Sequence, residues 1–422
     1  MNIADAIKWL SFFSLLTIIL SYGACNSVRD RQISEIEKII QGKSRVVDQV
    51  LQNPDKYKLQ ILYTRIDRDS QNEPTFRTYT YRINEERYYY PASTVKFPVA
   101  ILALEKLNDL NIEGLTRDTP LRIDSAYSGQ TRVVEDSSAK DSKPSISHYI
   151  KKIFLVSDND AYNRLYEFLG QEYINHRLAQ LGFPSVKIIR RLELPLSADE
   201  NRATNPFTFF QGGKIVYHQP LVVSKSFFKL DMKDVQQGKG YYKNGELIQE
   251  PIDFSYSNFF PLSAQQELLK VLMFPATIPP ENRLNMTADD YEFLYRYMSM
   301  LPRESDIEAY HDSSRYFDGY LKFLMFGDTR EKIPPHIRIF SKSGQAYGYL
   351  LDNAFIIDFE KKIEFFLTAM LQVNENQIYN DDTYEYKEIG LPFLTDLGRI
   401  MYEYEVNRNR TYLPDLSRFR VH

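Results

Sequence analysis

A serine and a lysine three residues apart, Ser93 and Lys96, stand at the predicted start of a helix. Residues three apart share a helix face, so the Lys96 amine can approach the Ser93 hydroxyl closely enough to take its proton. The backbone N–H groups that are free at a helix start could also stabilise a developing oxyanion. The same pattern recurs at 137–140 and 226–229, and a helix cap followed by a solvated lysine is the alternative interpretation.

The motif Ser157-Asp158-Asn159 occurs once in the chain, in a predicted break between two helices. On a tight turn, Ser157 and Asn159 can aim a hydroxyl and an amide in the same direction, while Asp158 turns back to stabilise the turn. An Asx-type turn that only joins two helices is an equally good interpretation of this motif taken alone.

The motif Lys342-Ser343-Gly344 lies within a predicted strand near the other end of the chain. A glycine in a strand lets a ligand or another backbone approach closely, and a lysine beside a hydroxyl can hold a carboxylate. An edge strand protected by a lysine is the alternative interpretation.

The elements that must position these residues are strands at both ends of the chain and helices between them. β-Branched and aromatic runs predict the strands, and apolar residues at three- and four-residue spacing predict the helices. The predicted strands are 59–66, 76–83, 337–346, 348–359 and 362–373, and the predicted helices are 28–51 (as one or two), 94–110, 147–154, 161–169, 263–274, 287–300, 318–326 and 395–406. This order predicts an α/β (α+β) fold: an antiparallel sheet of about five strands built from both ends of the chain, flanked by helices, with a helical domain between.

A glycine-rich segment from about 211 to 262 breaks this pattern. Its Asn244-Gly245 pair, set between apolar and aromatic residues, predicts a two-residue hairpin turn, so we interpret the segment as a β-rich insertion. The predicted organisation is a signal peptide at 1–24, a tether and helix at 25–57, a sheet domain at 58–92 plus 337–422, a helical domain at 93–210 plus 263–336, and the insertion at 211–262.

Composition narrows the classes of partner and cofactor. The 52 Lys and Arg against 56 Asp and Glu give a net charge of -4, which lacks the basic footprint of a nucleic-acid binder. One cysteine excludes an intrachain disulfide framework, and the six histidines show no paired metal-ligand spacing. We therefore assign no metal and no cofactor.

The first 25 residues resemble an export signal. Lys8 precedes the apolar run 9–20, which at about 18 Å as a helix is shorter than the roughly 30 Å hydrocarbon core of a bilayer. Gly23-Ala24-Cys25 resembles the lipobox of bacterial lipoproteins, with Tyr22 where that pattern usually has leucine. This predicts an exported protein of the periplasm or cell envelope, lipid-anchored at Cys25; a plain secretory signal with a coincidental cysteine is the alternative.

Together and in this order, the three polar motifs resemble the active-site set of the penicillin-recognising serine hydrolases. The chain resembles class A β-lactamases in particular, because Arg191-Leu192-Glu193-Leu194-Pro195-Leu196-Ser197 and Asn201-Arg202-Ala203-Thr204-Asn205-Pro206 are similar to that family's omega loop. The resemblance covers about 58–206 and 263–408 and leaves 211–262 as an addition. It implies a β-lactamase/transpeptidase-like fold and hydrolysis of a β-lactam amide through an acyl-enzyme.

The resemblance also implies catalytic roles. Ser93 is the nucleophile and Lys96 its base, with Glu193 acting through a water as the rival base. Ser157 relays a proton toward the leaving nitrogen, and Glu193 activates the water that hydrolyses the acyl-enzyme.

Substrate binding falls, by the same resemblance, to a second group of residues. Asn159 holds the substrate's side-chain amide, and Lys342 and Ser343 bind its carboxylate beside Gly344. The backbone N–H groups of Ser93 and Gln345 form the oxyanion hole.

Two departures from the family pattern bear on rate and substrate range. Ser197 stands where the family usually has an asparagine that helps to position the deacylating water, and 350–353 lacks the arginine that many members carry on the strand after the lysine motif. Two alternatives to a β-lactamase therefore stay open: a cell-wall D,D-peptidase or transpeptidase, and a sensor that is acylated by a β-lactam or occupied by a wall fragment and signals through the insertion. The expected partner is a small-molecule β-lactam or a cell-wall peptide.

Overall fold

The computed structural model describes residues 34–421, so the predicted signal, Cys25 and the start of the first predicted helix lie outside the described residues. Its α-helices are α1 (Glu35–Ile40), α2 (Arg45–Gln52), α3 (Lys96–Leu110), α4 (Ile146–Val156), α5 (Asn159–Leu169), α6 (Gln171–Gln180), α7 (Ala198–Arg202), α8 (Leu262–Met273), α9 (Ala288–Ser299), α10 (Phe323–Phe326) and α11 (Leu391–Asn407). Its strands are β1 (Gln60–Arg68), β2 (Pro74–Tyr81), β3 (Leu121–Ile123), β4 (Phe207–Gln211), β5 (Lys214–Gln219), β6 (Gln236–Gln237), β7 (Gly240–Lys243), β8 (Glu246–Ile248), β9 (Ile252–Asp253), β10 (Ile337–Ala346), β11 (Tyr349–Asp358), β12 (Ile363–Gln372) and β13 (Ile378–Tyr379).

The central sheet has five antiparallel strands in the order β10-β11-β12-β1-β2. The two ends of the chain meet where β1 pairs with β12, with Gln60 opposite Met370 and Arg65 opposite Phe365. β11 and β12 are buried along their whole length, whereas exposed residues recur along the edge strand β2. The predicted sheet, built from both ends of the chain, is confirmed.

Helices cover both faces of this sheet because successive residues of a strand point to opposite sides. On β11, Phe355 and Ile357 join a core formed with α3, α4, α5, α8 and α9. Their neighbours Ala354 and Ile356 join a second core formed with α1, α2 and α11. Each such side chain contributes about 1.5–3 kcal/mol when fully buried, so the alternation along the central strands fixes the layer order.

The predicted helix over 318–326 is wrong. A 3₁₀ turn, Asp318–Leu321, is followed by α10, in which Leu324 and Met325 leave helical φ/ψ. The Leu324 N–H donates to Asp352 Oδ2 (3.1 Å) on β11. A Cβ on Gly398 of α11 would meet Met325 N at 2.4 Å, so α11 packs directly on this backbone. Tertiary contacts therefore override the helical periodicity of this segment.

The predicted hairpin in the glycine-rich segment is confirmed. Asn244 (φ 53°) and Gly245 (φ 83°) form the turn between β7 and β8. β7 also pairs in parallel with β13, which lies near the end of the chain. An earlier hairpin, β4–β5, begins at Phe207, ahead of the predicted boundary at 211, and adds to β3.

A third core, formed largely of aromatic side chains, joins this segment to the sheet. Phe254 and Phe259 pack with Tyr88, Tyr349 and Tyr379. The segment is therefore anchored beside the start of α3 and the end of β10. None of the helices within residues 34–421 has the length and apolar character needed to cross a membrane.

Candidate active site

Ser93 lies in a 3₁₀ turn, Ala92–Val95, that leads directly into α3. Side chains three residues apart eclipse one another in a 3₁₀ turn, which brings Lys96 over Ser93. The turn sits on β10, where a Cβ on Gly344 would meet Ser93 N at 2.8 Å and Pro91 O at 3.1 Å. Only glycine at this position lets the nucleophile's backbone approach the strand so closely. Neither of the other two serine–lysine matches, 137–140 and 226–229, leads into an α-helix; the first is followed only by a 3₁₀ turn, Lys140–Ser142.

The Lys96 side chain is fully buried and surrounded by oxygen atoms. Its Nζ lies 2.9 Å from Ser93 Oγ, 3.1 Å from Ser157 Oγ, 2.5 Å from Ser157 O and 2.5 Å from Asn159 Oδ1. The carbonyl and amide oxygens can only accept hydrogen bonds, so they occupy two N–H groups of the amine. A neutral amine then keeps a lone pair for one of the two serine hydroxyls.

The charge state of Lys96 fits that arrangement. Burial lowers its pKa to about 7, while the negative charges of Asp158 and Glu193 oppose the shift. Near neutral pH, a substantial fraction of the Lys96 amine is therefore neutral and able to accept a proton.

The turn Ser157-Asp158-Asn159 joins α4 to α5 as the sequence suggested. Ser157 ends α4 in the left-handed conformation (φ 55°), and Asp158 caps α5 by accepting a hydrogen bond from Ala161 N (2.7 Å). The predicted stabilising role of Asp158 is confirmed. With Asp158 turned into the cap, Ser157 and Asn159 both face Lys96.

Lys342 reaches the same turn from β10. Its Nζ donates to Ser157 Oγ (2.8 Å) and to Ser343 O (2.8 Å), and the side chain is 2% exposed. Burial and the neighbouring Lys96 charge lower the pKa of Lys342 well below its ordinary value. The Ser343 hydroxyl donates to Leu321 O (3.0 Å). Ser93, Lys96, Ser157 and Lys342 thus form one continuous chain of hydrogen bonds.

A second buried lysine and a buried aspartate, Lys322 and Asp352, lie behind this chain, and sequence reasoning missed the electrostatic interaction between them. Lys322 Nζ donates to Met298 O (2.6 Å) and Ser341 Oγ (3.3 Å), while Asp352 stands opposite Ser343 on β11. Burial raises the pKa of Asp352 to about 6 and lowers the pKa of Lys322 to about 8. In the sequence, Asp352 stands out only as part of 350–353, the segment that lacks the arginine of many class A enzymes.

The loop that carries Glu193 is held in place by contacts of the two residues just before it. Asn163 of α5 donates to Leu192 O (3.0 Å) and accepts from Leu192 N (2.8 Å). The Arg191 guanidinium pairs with buried Glu167 (2.9 Å), and the Arg191 N–H donates to Asn201 Oδ1 (2.8 Å). Glu193 itself is exposed and has a left-handed backbone (φ 57°).

The Ser197 hydroxyl forms its hydrogen bonds with Glu200. Ser197 caps α7 in a capping box: its Oγ accepts from Glu200 N (3.2 Å) and donates to Glu200 Oε2 (2.7 Å). The hydroxyl therefore stabilises the start of α7, and both of its roles in hydrogen bonding are filled within the loop.

Two cavities meet at Ser93 and Gln345, which line both. The first, of about 590 Å³, is also lined by Ser157, Ser343 and Gly344. The second, of about 720 Å³, is lined by Asn159 and Glu193.

All of the predicted site residues except Cys25, which lies outside the described part, are thus brought to one cleft, with Lys96 and Lys342 buried beneath it. Among residues 34–421 there is no group of three or more His, Cys, Asp or Glu that could hold a metal ion.

The aromatic run ahead of Ser93 divides between packing and the cleft. Tyr88 and Tyr89 are buried, and their hydroxyls donate to Asn258 O (3.2 Å) and Phe260 O (2.7 Å). Tyr90 lines the second cavity. The first two tyrosines of the run therefore serve packing.

Comparison with known proteins bears directly on this cleft. Residues 44–217 match the family model of the beta-lactamase enzyme family, a segment that contains Ser93, Lys96, Ser157 and Glu193. Over residues 44–217, the chain is β-lactamase-like. The resemblance to the penicillin-recognising serine hydrolases predicted from the motifs is thereby confirmed. No curated protein sequence matches the chain.

The β-lactamase-like chain is also similar to solved β-lactamase structures. A beta lactamase from Xanthomonas campestris pv. campestris is 12% identical, with 88% of this chain and 98% of that chain covered and a TM-score of 0.45. The chromosome-encoded beta-lactamase of Vibrio parahaemolyticus is 13% identical, with 86% of this chain and 99% of that chain covered and a TM-score of 0.46. A beta-lactamase from Burkholderia phymatum is 13% identical, with 88% and 100% covered and a TM-score of 0.46.

Proposed function

We propose that this β-lactamase-like protein is a serine hydrolase of the class A type, which opens a β-lactam amide through an acyl-enzyme on Ser93. The observation that carries the proposal is the chain of hydrogen bonds from Ser93 Oγ through Lys96 Nζ and Ser157 Oγ to Lys342 Nζ. A nucleophile, a base and a proton relay in hydrogen-bond contact are what acyl transfer to a serine requires.

In the acylation step, Ser93 Oγ attacks the carbonyl carbon of the lactam and its proton passes to neutral Lys96. The carbonyl oxygen becomes an oxyanion, which the N–H groups of Ser93 and Gln345 stabilise, each worth about 3–4 kcal/mol. The carbon–nitrogen bond then breaks, and the proton travels from Lys96 through Ser157 Oγ to the leaving nitrogen.

In the deacylation step, Glu193 takes a proton from a water, whose oxygen attacks the ester carbon. The ester bond to Ser93 Oγ breaks, and the proton returns to that oxygen. General-base assistance of this kind contributes about 100- to 10,000-fold. The loop contacts of Asn163 and Arg191 hold the backbone on the N-terminal side of Glu193, so these two act as positioning residues.

In this proposal, the substrate carboxylate binds in the first cavity. Ser343 lines it, and Arg330 and Lys387 supply two further cations there. Arg330 comes from the loop after α10, a different place from the strand position where many class A enzymes carry their arginine. In this proposal, Arg330 compensates for the absence of an arginine in 350–353, which reads Leu-Leu-Asp-Asn.

Steady-state hydrolysis of a chromogenic cephalosporin tests the proposal. Wild-type protein should turn the compound over, Ser93→Ala should not, and Ser137→Ala, which alters one of the chance serine–lysine matches, should behave as wild type. No hydrolysis by wild-type protein, or equal hydrolysis by Ser93→Ala, refutes the proposed function.

A second candidate is favoured by the position of Ser197. The Ser197 hydroxyl donates its proton to Glu200 in the capping box of α7, so it cannot also donate a hydrogen bond to a deacylating water. An enzyme acylated quickly and deacylated slowly would suit a β-lactam sensor or an enzyme of cell-wall peptides. A burst of one equivalent of product followed by a slow phase favours this candidate; linear turnover from the start favours the β-lactamase.

We also propose that the protein is exported and lipid-anchored at Cys25. The support is sequence alone: the apolar run 9–20 and the small residues before Cys25. Mass spectrometry of the mature N-terminus tests this proposal on protein purified from the membrane fraction. Lipidation is contradicted if Cys25 is unmodified or if the mature chain begins at another residue.

A further inference from the structure

The second cavity beside Ser93 has walls that come from distant parts of the chain. Tyr90 precedes the nucleophile, Phe254 belongs to the insertion, and Tyr347 lies in the turn after β10. The ring centroids of Tyr90 and Tyr347 are 4.9 Å apart, and those of Tyr90 and Phe254 are 5.6 Å apart. The three rings form one continuous aromatic wall on the Glu193 side of the cleft.

Two more tyrosines extend this wall from the segment between β13 and α11. Tyr384 and Tyr386 line the same cavity, with ring centroids 5.3 Å apart. The Tyr386 hydroxyl accepts from Gly348 N (2.8 Å), and the Tyr384 hydroxyl accepts from Asn380 N (2.9 Å). Both rings are therefore fixed in place by the backbone they contact.

The charged residues of this cavity are mainly acidic. Glu193, Asp253 and Asp382 line it, together with Arg190 and Arg191. Arg191 is already paired with buried Glu167 (2.9 Å), so one guanidinium faces three carboxylates.

Asp253 and Asp382 each have a carboxylate oxygen that is available to bind a cation. Asp382 is exposed, and its side chain forms no hydrogen bond or ion pair with any residue between 34 and 421. Asp253 is also exposed: its Oδ1 accepts from the N–H and hydroxyl of Ser255 (2.8 and 2.6 Å), and its Oδ2 has no hydrogen-bond or ion-pair partner among the described residues.

The first cavity, on the other side of Ser93, has the opposite balance. Arg330 and Lys387 line it, with Asp328 as the acidic residue. The cleft is therefore cationic at one end and anionic at the other, with the nucleophile between.

We infer that the second cavity binds a primary ammonium group on the acyl side chain of the substrate, so that the preferred substrate is zwitterionic, with its carboxylate in the first cavity. The inference rests on the proposed function and names the substrate class for the same site. Aromatic faces and carboxylates together are the surroundings in which proteins recognise ammonium groups. The insertion contributes directly, because it supplies Phe254 and Asp253.

Three penicillins that differ at one position test the inference: ampicillin, which carries an α-amino group, benzylpenicillin, which lacks it, and N-acetylampicillin, in which its charge is removed. We expect kcat/KM for ampicillin to exceed that for the other two by about tenfold, as a cation–π contact and a partly exposed ion pair allow. The difference should appear in KM rather than kcat, because the ammonium lies away from the reacting bond.

Variants then locate the effect. Asp382→Asn and Asp253→Asn should each lower the ratio of kcat/KM for ampicillin to that for benzylpenicillin, by about threefold for a solvent-exposed ion pair. Glu388→Gln removes one negative charge from a nearby exposed residue that does not line the cavity, and should leave the ratio as in wild type.

The outcomes separate this inference from the proposed function. Turnover of all three penicillins with equal KM, or a ratio unchanged in both aspartate variants, overturns the ammonium site and leaves the hydrolase standing. If no penicillin acylates the wild-type protein, the proposed function fails. Equilibrium binding of ampicillin and N-acetylampicillin to Ser93→Ala protein then decides the ammonium site, which equal affinities would overturn.

Discussion

Gly344→Ala places one methyl group against the backbone of the nucleophile. The added Cβ would lie 2.8 Å from Ser93 N, 3.0 Å from Ala92 Cβ and 3.1 Å from Pro91 O. Ordinary contact begins at 3.4 Å, so Ser93 N and the strand must separate by about 0.6 Å. Two of the three atoms met are backbone atoms, so no side-chain rotation can relieve the contact.

The shift moves both the Ser93 hydroxyl and one of the two proposed oxyanion donors. A misplacement of about 1 Å can cost roughly 100-fold in rate, so we expect acylation to slow by about 10- to 100-fold. Overpacking of this kind also costs about 1–3 kcal/mol of stability, so the protein should fold with a lowered unfolding midpoint.

Pre-steady-state acylation by a chromogenic cephalosporin measures the rate, and thermal unfolding measures the stability. Gly129→Ala is the matched control, because its Cβ would meet only the movable side chain of Tyr127 at 3.0 Å and, at 4.0 Å, that of Glu200. An acylation rate within twofold of wild type in folded Gly344→Ala protein would refute the close seating of Ser93 on β10.

Three further perturbations test other parts of the cleft. Because Lys96 accepts a proton only when neutral and burial sets its pKa to about 7, kcat/KM should fall as the pH drops through that value; a pH profile flat below it contradicts the role of Lys96 as base. Glu193→Gln should slow deacylation by about 100- to 10,000-fold, so that mass spectrometry finds a lasting acyl-enzyme; unchanged turnover removes Glu193 from the mechanism. Glu167→Gln should lower the free energy of unfolding by about 3–5 kcal/mol, measured by denaturant unfolding, because it leaves Arg191 buried without its carboxylate. The control Asp160→Asn removes an exposed partner of Arg164 and should lower it by no more than about 1 kcal/mol. Equal losses in the two variants would refute the anchoring of the loop by Arg191 and Glu167.

The strands were predictable because their signal is local. The predicted 337–346 coincides with β10, and 348–359 and 362–373 each exceed β11 and β12 by one residue at either end. β-Branched and aromatic runs bounded by turn residues identify such strands without knowledge of their partners. The helix over 318–326 failed for the opposite reason, because contacts of Leu324 and Met325 with β11 and α11 decide its backbone.

The polar motifs were predictable because each combines residue types whose geometry follows from spacing, as for Ser93 with Lys96 and for Ser157 with Asn159. Their convergence on one cleft was implied only by the family resemblance. The electrostatic interaction of Lys322 with Asp352 and the aromatic wall of Tyr90 and Phe254 depend on the proximity of residues far apart in the chain, so no spacing in the sequence indicates them.

The most direct test of the central claim is the mass of the intact protein against time after mixing with a chromogenic cephalosporin, with Ser93→Ala as the control. Colour should develop while an adduct on Ser93 forms and disappears, and Ser93→Ala should form no adduct. A stable adduct on Ser93 would favour the slowly deacylating candidate. The absence of any adduct, or an equal adduct on Ser93→Ala, would contradict the assignment of Ser93 as the nucleophile.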